Sequence, residues 1–119
     1  MNRRRTNPAF LNGVPELLIL GLLARKPMHG YELVQTIGAF SAGRLEFGEG
    51  CIYPLLHRLE LDGALTSQRE QVDGRHRVVY RVSRKGKLRM VKTAERWHEV
   101  VESVQLVLQG GGNGSVGLA

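Results

Sequence analysis

The dipeptide Asp73-Gly74 stands between two strand-like runs, Leu65 to Val72 and Val78 to Val82, and it constrains the fold more than any other stretch of the chain. Both residues tolerate positive φ, so the pair favours a tight hairpin turn. In the second run Val78, Tyr80 and Val82 alternate with Val79 and Arg81. That alternation predicts one hairpin face packed on helices and the other turned to solvent or a ligand.

The residues ahead of the hairpin supply the helices. Pro15 is a good first-turn residue, and Glu16 beside it complements a helix dipole. The leucines and isoleucine from Leu17 to Leu23 then leave little polar face, so this helix is expected to be covered on several sides until Arg25, Lys26 and Pro27 end it. A second, amphipathic helix reads from about Gly30 to Phe40, with Leu33, Val34 and Ile37 at helical spacing. Ser41 to Gly48 reads as a loop with one short extended piece around Leu45 and Phe47. Ile52, Leu55, Leu56 and Leu59 form the buried stripe of a third helix, which Asp62 and Gly63 stop. Its start is open: a helix from Glu49 leaves Pro54 beyond the first turn, missing a hydrogen bond, whereas one from Tyr53 places the proline well.

Ser83 is an expected N-cap for a last helix running to about Gln109. Met90, Ala94, Trp97, Val101, Val104 and Leu108 are spaced four, three, four, three and four apart, a heptad seam that three short helices leave without a partner. Pairing with a second copy of the chain buries it. The expected organisation is a basic arm over 1–12, a helix and hairpin unit over 13–82, a dimerisation helix over 83–109 and a glycine-rich tail over 110–119.

With 119 residues the chain has room for one domain. Cys51 is its one cysteine, which rules out an intramolecular disulfide framework and fits a reducing compartment. The longest apolar run, Val14 to Ala24, contains Glu16 and falls short of the roughly 20 residues that span a bilayer. Arg3 to Arg5 are followed by polar residues and no cleavage pattern, so a cytoplasmic location is expected. The same three arginines suit either a minor-groove arm or a frayed terminus. A net charge of +6 favours a polyanionic partner, nucleic acid ahead of an anionic membrane surface.

Three short helices followed by a hairpin is the order of a winged helix-turn-helix, a mainly α fold with a β-hairpin wing. The charge agrees with a nucleic-acid role. From Arg75 to Lys92 there are eight basic residues and no acidic one, along the outgoing strand and the start of the last helix. Such groups neutralise phosphates and make affinity salt-sensitive. The third helix is not itself basic, since Pro27 to Ala64 holds five acidic residues against two basic ones. Tyr53, His57 and Arg58 are its candidates for hydrogen bonds to phosphates or base edges, while Gly74, Arg75, His76 and Arg77 on the wing and Lys85 beyond it supply positioning contacts.

These residues also carry a family resemblance. Met28 to Leu33 (Met-His-Gly-Tyr-Glu-Leu), Gly50 to Glu60 (Gly-Cys-Ile-Tyr-Pro-Leu-Leu-His-Arg-Leu-Glu), Gly63 to Leu65 (Gly-Ala-Leu) and Tyr80 to Ser83 (Tyr-Arg-Val-Ser) resemble the PadR family of transcriptional regulators. The likeness spans Val14 to Leu108 and is most similar to the compact subgroup with a single short C-terminal helix. It implies a winged-helix homodimer that binds double-stranded DNA, acts as a repressor and is released by a small molecule. By the same resemblance Tyr53 matches the recognition-helix tyrosine and Gly74 to Arg77 the wing tip. Cys51 departs from the family's usual threonine. A thiol contacts DNA poorly and suits either passive packing or a redox sensor at a helix N-terminus. Trp97, on the seam, suits either a plain dimer core or the wall of a pocket for a planar aromatic effector.

Enzymatic chemistry finds little footing. His29, His57, His76 and His98 share no metal-ligand spacing with Cys51 or a carboxylate pair, and the Gly110 to Gly112 cluster follows a helix and no strand. His29, just ahead of the Gly30-Tyr31 helix start, suits a cap. No cofactor and no metal are expected. The rival to DNA binding is a winged-helix module for protein partners.

Overall fold

The structure is a computed structural model describing residues 13–111. The expectations for the arm over 1–12, Arg3 to Arg5 included, and for the tail beyond 111 lie outside the described residues. Seven elements follow in order: α1 (Val14–Leu23), β1 (Met28–His29), α2 (Gly30–Phe40), α3 (Glu49–Leu61), β2 (Leu65–Val72), β3 (Arg75–Val82) and α4 (Arg84–Leu108). The strands form one antiparallel sheet in the order β1-β3-β2. This is a winged helix-turn-helix extended by a long C-terminal helix. No helix among the described residues is long and apolar enough to cross a membrane.

The core forms where the apolar stripes converge. Ile19 and Leu20 from α1, Leu33 from α2, Ile52, Leu56 and Leu59 from α3 and Leu65 from β2 are all buried at 0–1% exposure. His29 caps α2, its Nδ1 accepting the Glu32 backbone N–H at 3.2 Å, as its place before the helix suggests. Ser83 likewise caps α4, accepting from the Gly86 N–H at 3.0 Å while its hydroxyl donates to the Gly63 carbonyl at 2.6 Å.

Several local expectations need correction. No strand lies between residues 41 and 48; Ala42 and Gly43 take positive φ, and Ser41 Oγ closes the loop by accepting the Leu45 N–H at 2.9 Å. The extended piece is instead β1, too short to show a period, which pairs Met28 with Tyr80 and His29 with Val79. The hairpin turn is Asp73-Gly74 at φ 53 and 79, as the dipeptide suggests, but β3 starts at once with Arg75. Val79 and Tyr80 are both buried, so β3 does not follow the simple in-out alternation. It is the central strand, and the Arg81–Glu70 ion pair at 2.7 Å spans the Gln68–Val79 rung on its second face.

The start of α3 is now fixed at Glu49, with Gly48 as N-cap and Pro54 inside the helix. The proline has no N–H to give the Gly50 carbonyl, so the helix runs through this point with one bond fewer.

Candidate nucleic-acid interface

Spacing along α3 sorts its side chains into three faces. Ile52, Leu56 and Leu59 point into the core. Gly50, Pro54, His57 and Leu61 are exposed and form the outward face. Arg58, also exposed, leans to the α1 side, where it shares an open cleft of about 420 Å³ with Cys51, Pro54 and Leu55. On the opposite flank the half-buried ring of Tyr53 lies against Gly30 at the start of α2: a Cβ added there would stand 2.5 Å from Tyr53 Cε1 and 2.8 Å from its hydroxyl. Tyr53 is therefore a packing residue between α2 and α3 whatever else it touches.

The wing is held to this helix through its base. Ser67 of β2 donates to the Glu60 carboxylate at 2.7 Å, and Leu65 packs in the core. Arg75 and Arg77 alternate along β3 on the same face as Arg81, with His76 on the other. Arg75 and His76 are exposed and Arg77 is half-buried opposite Glu70. Gly74 forms the tip. Lys85 is exposed, and its stem and ammonium pass close to Gly63, at the C-terminal end of α3 and away from the tip.

Two of the eight bases in the run from Arg75 to Lys92 are matched inside the chain. Arg81 pairs with Glu70. Arg89 grips the Glu16 carboxylate with two nitrogens at 2.8 and 3.1 Å and reaches Asp62, the C-cap of α3, at 3.2 Å. The hydrogen bond to Glu16 leads the effects that hold the guanidinium above its ordinary pKa. Arg89 thus ties α4 to both α1 and α3, a role that the run of basic letters conceals. Arg75, Arg84, Lys85, Lys87 and Lys92 stay exposed, with Arg77 half-covered.

Burial pushes the Cys51 thiol above its ordinary pKa, which favours the protonated thiol.

On α4 the expected seam divides. Met90 packs on the chain's own core and Ala94 and Val101 are half-buried, whereas Trp97, Val104 and Leu108 are 43%, 51% and 49% exposed. Val100 and Val107, outside the heptad reading, are exposed as well and extend a stripe from Trp97 through Val104 at spacings of three and four. Only Gly86 of the 25 residues of α4 is buried. Trp97 lines a cleft of about 260 Å³ between α4 and the start of α1, with Val14, Leu17, Thr93, Arg96 and Val100.

Comparison with known proteins gives a consistent result. A family model described as the transcriptional regulator PadR-like family matches residues 19–92. A transcriptional regulator of Mycobacterium tuberculosis is 35% identical over 95 residues, covering 80% of this chain and 86% of that one. Among solved structures, a PadR-like transcriptional regulator of Bacillus cereus superposes with a TM-score of 0.75 at 28% identity, covering 86% of this chain and 98% of its own. A PadR family regulator of Eggerthella lenta gives 0.75 at 26% identity, covering 87% and 88%.

Proposed function

The chain belongs to the PadR-like family of transcriptional regulators, whose work is DNA-binding regulation, and we propose that it is a sequence-specific repressor acting as a homodimer. In this reading α3 enters the major groove, with Tyr53, His57 and Arg58 as its polar contacts, and the wing lies on the phosphates through Gly74, Arg75, His76 and Arg77. Lys85 adds a flanking phosphate contact. The observation that carries the reading is the pairing of an exposed, weakly charged α3 face with the exposed Arg75 and half-buried Arg77 on a hairpin fastened to the same helix by Ser67 and Glu60. Such a division leaves base reading to short-range contacts and most of the salt-sensitive affinity to the wing.

The homodimer rests on α4. A 25-residue helix that buries one glycine, and exposes Trp97, Val100, Val104 and Leu108, needs a second apolar surface, and a copy of itself supplies one. The cleft beside Trp97 is small and open in one chain, and a partner helix laid over α4 would close it into an apolar pocket suited to a flat aromatic effector. Release of DNA by that effector is the regulatory part of the proposal.

Mobility shift on the DNA upstream of the chain's own gene, repeated at several salt concentrations, tests the reading. A sequence-preferring shift that weakens with salt supports it. A protein that shifts no duplex selectively is a module for protein partners.

A further inference from the structure

Pro54 poses a physical problem that the fold does not resolve. It is the sixth residue of α3, too far in for the first-turn position where proline is tolerated, and a proline in a helix interior costs about 3 kcal/mol relative to alanine. Buried prolines can offset such a cost by packing. Pro54 is exposed, on the outward face with Gly50 and His57, and it borders the open cleft shared with Cys51 and Arg58. Ile52, Leu55 and Leu56 around it supply the core contacts of this part of the helix. The ring is a rigid apolar surface set in the N-terminal half of α3, and Gly50, one turn earlier, has no side chain to hold that surface away from a flat partner.

We propose that Pro54 determines specificity by packing its ring on the C5-methyl group of a thymine in the major groove. The inference rests on α3 being the reading helix. The methyl is the one apolar group that projects from the major-groove edge of the four bases, and apolar side chains recognise it by contact. A polar residue at the same place would seek donors and acceptors; a proline ring seeks none. The N-terminal part of a reading helix is the part that meets base edges. Leu61, 88% exposed on the same face two turns further on, lies beyond that part and serves as a control.

The test uses the full chain, a duplex selected from a random-sequence pool and copies of that duplex with each thymine replaced in turn by uracil, which lacks only the methyl. At one thymine the replacement weakens wild-type binding about fourfold, the equivalent of one buried methyl group. Pro54→Ala loses that sensitivity at the same position while its melting temperature rises, and Leu61→Ala keeps it. A merely structural proline would give neither the positional effect nor a more stable but less discriminating variant. If the pool yields a selected duplex and wild type and Pro54→Ala respond alike to every uracil, the inference fails and the reading helix stands. If no duplex is enriched, both fall together.

Discussion

The ring of Tyr53 covers Gly30 so closely that no side chain fits between them. The contact holds α2 close to α3, and it uses the tyrosine that the proposed function also assigns to DNA. A glycine-to-alanine change inside a helix ordinarily stabilises by about 0.4–1 kcal/mol. At Gly30 the sign reverses, because the added methyl displaces an aromatic ring, and Gly30→Ala is expected to lose about 1–3 kcal/mol. Urea melts of Gly30→Ala and of Gly30→Ala with Tyr53→Leu check it: the second change restores part of the loss if the ring is the obstacle.

Arg89 gives a second test. Its guanidinium forks onto Glu16 and reaches Asp62, partly shielded from water, so Arg89→Met should cost about 1–2 kcal/mol. Lysine keeps the charge and loses the fork. Arg89→Lys should recover less than half of the loss, measured by thermal melts at low and moderate salt.

Much of the fold could be read from letters because each feature had a local cause: Asp73-Gly74 for the turn, Ser83 for a cap, Leu33 and Ile37 for the buried stripe of α2. What escaped was set by tertiary partners. Two residues, Met28 and His29, carry no period, so β1 is defined only by the β3 edge it meets. The run of bases looked uniform, yet Arg81 and Arg89 face carboxylates 11 and 73 residues away in the chain. Tyr53 stood out as a candidate reader, and its packing role became visible only with Gly30 beside it. The seam on α4 was legible as spacing, but Met90 turned inward because α4 begins against the core. The exposed stripe through Val100 and Val107 follows the same helical spacing and was there to be read.

Alkaline pH should weaken the fold. Burial leads the effects raising the Tyr80 pKa above its ordinary 10.0, with Glu60 and then Tyr53 adding to it, and burial alone raises Cys51 above 9.0. The unfolded chain releases these protons first, so the stabilisation is complete below about pH 9 and falls as pH climbs through the folded values. Urea midpoints between pH 7 and 11 should stay level and then drop, and the combined variant Tyr80→Phe, Cys51→Ala should drop less.

For the dimer, Val101→Glu is expected to give monomers by light scattering where wild type gives dimers. A charge at the half-buried Val101, set into the proposed seam, would find no good partner across it. A Val101→Glu protein that stays dimeric would place the interface elsewhere.

The salt dependence of DNA affinity bears most directly on the central claim that α3 reads and the wing holds. Fluorescence anisotropy on the upstream duplex and on an unrelated duplex, from about 50 to 200 mM salt, gives the slope of log affinity against log salt for wild type and for Arg75→Ala, Arg77→Ala. The slope should be shallower in the variant by about one for each arginine lost, on both duplexes alike, with the preference for the upstream duplex retained. An unchanged slope and affinity in that variant would contradict the claim.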